Sequence, residues 1–351
     1  MITIGVDPHK SSHTAEAIDG TETMHGQVRV VADRRQVERL VEWATPFPER
    51  RWGVEGANGV GRLLAQQLVA AGETVVDVPA TLAARVRVLG SGRSDKTDEH
   101  DAAAVAVAAL RHPGLRVVTI EDHTAVLHLL SERRAQLVAG RTQTLCRLHA
   151  VLRSLVPGGA KRFLSVSQAT VVLGAIRPVT AINIERKALA RDLLAEIRTI
   201  ETRIKTINGR IVTAVRVSGS SLTEIQGVGP VLAAKILGIV GDVHRFPTRA
   251  RFAAYAGVSP IEASSGAHVR HRLNRRGNRQ LNYAIHMIAV TQRAHPGPGR
   301  DYFERKLAEG KSPAEARRCL KRHISNSVYR YLRADAEKVA RGDNVGRLQP
   351  A

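Results

Sequence analysis

Ile2-Thr3-Ile4-Gly5-Val6-Asp7-Pro8-His9-Lys10 opens the chain. The first five of these residues form a short β-branched run, which is a strand signal, and an aspartate follows it directly. Working outward, residues 12–17 and 26–31 supply two further strands with turn residues between them, so the fold starts as a hairpin sheet. A helix near residues 35–43, a strand over 51–54, a helix over 60–71 and a strand over 74–78 then alternate. Such alternation is the pattern of an α/β domain. An alanine-rich helix is expected over residues 97–110, closed by Pro113-Gly114, which sets this first domain at residues 1–115.

From residue 125 to 155 the pattern turns helical, with Leu127, Leu130, Leu137 and Leu148 on a charged background, until Pro157-Gly158-Gly159 breaks it. Further on, Leu193, Ile197, Ile200, Ile204, Ile207 and Ile211 recur at alternating four- and three-residue steps, flanked by Arg, Glu and Lys. This is a heptad seam and predicts a coiled coil; packing of the same helix on its neighbours within the chain is the plainer alternative. Either way residues 116–217 form a helical connector. A mainly α second domain is expected over residues 218–334, followed by a polar, frayed tail over 335–351.

The formal charge of +21, from 53 Lys and Arg against 32 Asp and Glu, makes a polyanion the natural partner, because neutralising phosphates releases counterions. Only 3% of residues are aromatic, which argues against holding single strands by base stacking on rings. Cys146 and Cys319 stand far apart with no Cys-x-x-Cys partner, so neither a disulfide framework nor a zinc site is indicated and a reducing cytoplasm is expected. Residues 1–10 carry no apolar leader core, and no apolar run approaches a membrane span.

Asp7 and Glu55 each directly follow a predicted strand, so both can project from neighbouring strand ends toward one point. Asp98 and Asp101, three residues apart at the start of a predicted helix, share one face and can add oxygens to the same pocket. Singly each has an ordinary reading, as a turn cap, a solvated loop residue or a favourable charge at a helix N-terminus. Together, four carboxylates repel unless a divalent cation neutralises them, and hard oxygen ligands suit Mg²⁺ or Mn²⁺. Two such metals can activate an attacking oxygen and stabilise a leaving one.

In the second domain, Gln226-Gly227-Val228-Gly229-Pro230 followed by Ala233-Ala234-Lys235-Ile236-Leu237 resembles a helix-hairpin-helix. Gly227 and Gly229 would there expose backbone N–H groups to a DNA phosphate, although an ordinary glycine turn between packed helices reads the same way. Phe252-Ala253-Ala254-Tyr255-Ala256-Gly257-Val258-Ser259-Pro260 then leads to Ser264-Ser265-Gly266 and to Arg270-His271-Arg272-Leu273-Asn274-Arg275-Arg276-Gly277-Asn278. A serine beside a glycine has freedom for close approach, and guanidinium groups around it can grip a phosphate. Without further context, Ser-Ser-Gly is also simply a turn.

The order strand carboxylate, strand carboxylate, helix carboxylates resembles the RuvC-like branch of the ribonuclease-H-like fold. The wording Gly5-Val6-Asp7-Pro8-His9-Lys10, Val54-Glu55-Gly56-Ala57 and Asp95-Lys96-Thr97-Asp98-Glu99-His100-Asp101-Ala102 is similar to the DEDD transposases of the insertion-sequence one-ten family. The Gly-x-x-Pro, Ser-Gly and Gly-Asn of the second domain match the C-terminal domain of the same family, and the likeness spans residues 2–331. It implies a DNA transposase in which Asp7, Glu55, Asp98 and Asp101 hold Mg²⁺ or Mn²⁺, with Asp95 and Glu99 as acidic neighbours that spacing alone does not exclude. It implies further that Ser265, with Ser264 as its adjacent competitor, attacks a DNA phosphodiester to form a phosphoserine link. Arg270, Arg272, Arg275 and Arg276 are assigned to phosphate binding, with a solvated basic face as the alternative.

No Ser-His-Asp arrangement lies near Ser265, so the carboxylate site is expected to assist it. The resemblance also implies a homo-oligomer, a dimer or tetramer assembled through the coiled coil, and a noncoding guide RNA that pairs with donor and target DNA, in a bacterial cytoplasm at the nucleoid. Two rival readings remain open: a metal-dependent junction nuclease that activates water, and a non-catalytic DNA-binding protein.

Overall fold

Ile4 and Val6 alternate along the opening run with Thr3, Gly5 and Asp7, so the strand they form must bury one apolar face and present a polar one. The computed structural model describes residues 1–91, 98–262, 271–272 and 277–341 and shows how that alternation is used. The chain divides into two units, Met1–Glu121 and Asp122–Ala351.

In the first unit, β1 (Ile2–Pro8), β2 (Ser12–Ile18) and β3 (Met24–Val31) form an antiparallel meander. After α1 (Gln36–Trp43), β4 (Arg50–Glu55) pairs parallel with β1. After α2 (Arg62–Ala70), β5 (Val75–Val78) pairs parallel with β4. α3 (Ala80–Ser91) and α4 (Asp98–Arg111) follow, and β6 (Arg116–Val117) closes the far edge, giving the order β3-β2-β1-β4-β5-β6. A meander on one side of β1 and parallel crossovers on the other make a mixed α/β sheet, the α/β class that the alternation of elements predicted. β6 carries this unit to Glu121, past residue 115 where the sequence pattern had closed the first domain.

One face of the sheet packs Ile4, Val6, Ala15, Ala17, Trp52, Val54 and Val75 against Leu40 of α1 and Leu64 and Leu68 of α2. Trp52 is fully buried, and its indole N–H finds Glu73 Oε2 at 2.6 Å while Arg50 holds the other oxygen at 2.5 Å. The only polar atom of the largest core side chain is thereby satisfied. The opposite face is covered by α4 through Val76, Val78, Val105, Ala108 and Ala109.

Among the described residues the second unit is helical apart from one small ribbon. α5 (His123–Arg153) and α7 (Ala181–Val217) run antiparallel, with Arg141 on Glu201 at 2.6 Å and Arg134 on Asn208 at 2.8 Å. Ile197, Ile207 and Ile211 are buried in this pairing; Leu193, Ile200 and Ile204 pack partly buried beside them. The heptad seam thus closes within the chain, on α5, because Leu127, Leu130, Leu137 and Leu148 present the matching stripe. α6 (Val166–Ala175) covers the distal end of the hairpin through Ala169 and Leu173.

At the other end α8 (Pro230–Val240), α9 (Arg249–Tyr255), α10 (Arg279–Ala294), α11 (Pro298–Ala308) and α12 (Pro313–Ala340) share one core with α5 and α7. α12 continues through Asp335, where the polar tail had been expected to begin. The carboxylate of Asp335 accepts from Ser220 Oγ at 2.9 Å and Ser221 Oγ at 2.6 Å, which ties that turn down. Among the described residues no helix is long and apolar enough to cross a membrane.

Gly5 lies under α4 so closely that a Cβ there would overlap the backbone of Ala102 and Ala106. Gly5→Ala is expected to push α4 off the sheet at a cost of about 3 kcal/mol, the upper range for overpacking, lowering the melting temperature by roughly 10 °C in a thermal scan.

Candidate active site

Gly5 and Gly53 stand opposite each other in the β1–β4 register, and alternation puts both on the α4 face of the sheet. Two residues on, Asp7 and Glu55 occupy that face at the C-terminal ends of the same two parallel strands. Asp7 is inside β1, opposite Thr14 of β2, and Glu55 is the last residue of β4. Both had been expected just beyond their strands; pairing with β2 and β5 extends the ladders through them.

The direction of α4 follows from three contacts. Its last turn meets the start of the strands, since Arg51, level with Thr3, donates to the Ala109 carbonyl and Arg111 pairs with Glu22 in the β2–β3 turn. Ala102 and Ala106 then lie over Gly5. The helix therefore runs opposite to β1, and its first turn, with Asp98 and Asp101, is carried toward the Asp7–Glu55 end. Two missing side chains let the backbone of a third element lie against the sheet, with its first turn toward the strand ends.

Asp7 and Asp101 are buried, at 6% and 5% exposure, and a buried carboxylate needs a partner. Asp7 has the His9 ring Nε2 at 2.8 Å, and Asp101 accepts a hydrogen bond from Arg87 of α3. Glu16, opposite Gly5 on β2, is also buried and accepts from Gln27 at 3.1 Å. The sequence reading did not single out His9, Arg87, Glu16 or the glycine pair. The glycines carried a signal, because Gly5-Val6-Asp7 and Gly53-Val54-Glu55 repeat one spacing on two strands.

An all-oxygen donor set drawn from Asp7, Glu55 and Asp101 fits a hard divalent cation better than a soft one. Among the described residues no group of three or more His, Cys, Asp or Glu side chains is gathered to hold an ion, and the side chain of Asp98 lies outside them.

In the second unit β7 (Ile261–Glu262) pairs antiparallel with β8 (His271–Arg272), so the Ser264-Ser265-Gly266 segment falls in sequence between two paired strands. Ser264, Ser265, Arg270, Arg275, Arg276 and the side chain of Arg272 lie outside the described residues.

The root of this ribbon is described in full. A Cβ on Gly277 would overlap the backbone of Gly257, so the chain enters and leaves the segment through a backbone-on-backbone contact that only glycine permits. Asn278 locks it: its N–H donates to the Tyr255 carbonyl at 2.7 Å, and its side chain caps α10 by accepting from Leu281 N at 2.9 Å. Asn282 adds hydrogen bonds to the carbonyls of Ala256 at 2.9 Å and Gly257 at 3.1 Å.

The glycine turn before α8 differs from a full helix-hairpin-helix. A single 3₁₀ turn, Ser221–Glu224, stands ahead of it; Gly227 takes a positive φ of 86° against Thr291, and Gly229 occupies the N-cap position of α8, followed by Pro230.

Two family models match the chain. One, described as a transposase of the IS110 DEDD type, covers residues 4–157, and the other, a transposase of the IS116/IS110/IS902 family, covers residues 219–304. The chain belongs to the IS110 family of transposases. A 44.8 kDa protein of insertion element IS116 from Streptomyces clavuligerus is 28% identical over 95% of this transposase and 94% of its own length. A 43.6 kDa protein of insertion element IS110 from Streptomyces coelicolor is 32% identical over 63% and 55%. Among solved structures, T. thermophilus RuvC bound to a Holliday junction is similar over 34% of this chain and 99% of its own, at 18% identity and a TM-score of 0.27.

The two matched regions hold the strand-end carboxylates and the ribbon, respectively. Asn278→Ala removes the α10 cap from the transposase and is expected to cost about 1–2 kcal/mol, read as a lower urea midpoint with unchanged slope.

Proposed function

We propose that this transposase cuts and rejoins DNA strands through a phosphoserine intermediate on Ser265, with Asp7, Glu55, Asp98 and Asp101 holding Mg²⁺ or Mn²⁺. The observation that carries the reading is the placement of Asp7 and Glu55 on one face at adjacent strand ends, with the first turn of α4 brought toward them. A cation held there would polarise a phosphate oxygen and offset charge on the attacking and leaving oxygens.

In the strand-breaking step Ser265 Oγ gives up its proton and forms an Oγ–P bond. One P–O bond of the DNA breaks, and the departing oxygen takes a proton. The linkage is exchanged rather than hydrolysed, so a DNA hydroxyl can reverse the step and rejoin strands without ATP. Arg270, Arg272, Arg275 and Arg276 grip the phosphates flanking the serine. The backbone N–H groups at Gly227 and Gly229 add contacts at the start of α8.

The net charge of +21 supports a large nucleic-acid footprint, and we assign it to donor and target DNA together with a noncoding guide RNA. The working form is a homo-oligomer, a dimer or tetramer, acting in the cytoplasm at the nucleoid.

The test incubates purified protein with Mg²⁺, donor and target DNA and co-purified RNA, and looks for a denaturation-resistant protein–DNA adduct. The adduct is expected to map by peptide sequencing to Ser265 and to vanish in both Ser265→Ala and Asp7→Ala. Cleavage without any adduct would replace the reading with a hydrolytic nuclease.

A further inference from the structure

α12 carries cations of two kinds. Arg318 and Arg333 lie near carboxylates of their own helix, Glu315 at 3.8 Å and Glu337 at 3.6 Å. Arg317, Lys321 and Arg322 are half-buried, and among the described residues none of them forms an ion pair. Their described partners are neutral: Lys321 Nζ donates to Asn282 Oδ1 at 2.7 Å, and Arg322 donates to Ser259 Oγ at 3.3 Å.

Arg317 and Lys321 are one turn apart on the same helix face, and His286 stands one turn beyond Asn282 on α10. Burial, then Lys321 and Arg317, hold the His286 ring below its ordinary pKa. Burial, then Arg317, does the same to Lys321, and burial, then Arg249, to Arg322. Among the described residues no carboxylate opposes these shifts. Half-buried like charges without counter-charge are costly, and an anion arriving from outside removes that cost.

The neutral partners say where the cluster sits. Asn282 is the residue that binds the carbonyls of Ala256 and Gly257, and Ser259 precedes β7 by two residues. The cations therefore border the root of the β7–β8 ribbon.

We propose that Arg317, Lys321 and Arg322 of α12, with Arg249 of α9, form a seat for the phosphodiester backbone of DNA beside the ribbon that carries Ser264-Ser265-Gly266. Spacing along a helix suits this, because residues one turn apart lie ~5–6 Å from each other, close to the distance between successive phosphates of a strand. The seat rests on the reading that the chain handles DNA but not on the serine chemistry. Its test is binding rather than cleavage, so a serine that forms no adduct leaves it standing.

The full-length Arg317→Gln/Lys321→Gln variant is titrated with labelled duplex DNA of arbitrary sequence across a salt series. The slope of log affinity against log salt is expected to be shallower by about 2, since each lost phosphate contact removes about 0.9. The melting temperature of the free protein should hold or rise, because like-charge repulsion is relieved. Arg317→Gln alone, which breaks no described hydrogen bond, should flatten the slope by about 1 should the double variant fold poorly. Lys338→Gln, ~25 Å further along the helix, should leave it unchanged. An unaltered slope in the Arg317 variants, an equal loss at Lys338, or a loss seen with an RNA hairpin and not with duplex DNA would each overturn the seat.

Discussion

Two glycines facing each other across β1 and β4 set the geometry on which the first unit depends. Gly5 and Gly53 leave a shallow trough in the sheet, and α4 lies in it with Ala102, Ala106 and Ala109 against strand backbone. An ordinary side chain at either position would lift the helix and part its first turn from the strand ends. The small-residue composition of α4 answers the same need from the other side. Alanine favours the helix and adds little thickness at the contact. On the face this creates, Asp7 has the His9 ring beside it at 2.8 Å, Asp101 accepts from Arg87, and Glu16 accepts from Gln27.

The second unit uses the same device for a different end. Gly257 and Gly277 touch backbone to backbone, which fixes the end of α9 against the start of α10. Gly238 does likewise where α8 crosses α5, since a Cβ there would stand 2.6 Å from the backbone of His128. Asn278 and Asn282 convert the Gly257–Gly277 contact into a clamp by binding carbonyls that the turn leaves unpaired.

What the sequence disclosed follows from range. Strands 2–6 and 51–54 and the carboxylates at their ends were legible because alternation and a following acid are local signals. Their order along the chain pointed to the right sheet. That Asp7 belongs to the ladder was not legible, since it depends on β2 continuing to pair beyond Val6. The isoleucine seam of α7 was plain, but its partner was not, because a heptad does not say whether the matching stripe lies in the same chain. Asp335 looked like the start of a polar tail and proves to hold Ser220 and Ser221, a contact more than a hundred residues long in sequence. The Ser265 segment and its arginines are named by resemblance alone, as they lie outside the described residues.

The cations of α12 show the limit of reading charge from sequence. Arg317-Arg318 and Lys321-Arg322 look alike in a list of basic residues, and all suggest a solvated face. Only the fold separates Arg318, which reaches toward Glu315, from the half-buried Arg317 and from Lys321 and Arg322, which are drawn into partial burial against an amide and a hydroxyl. The excess of positive charge in this chain is therefore not spread evenly in its consequences. Solvated, ion-paired cations are nearly neutral in free energy, whereas half-buried cations with neutral partners store repulsion that an anion relieves. Since the protein folds with that repulsion in place, an anion seated beside these cations would lower the electrostatic cost.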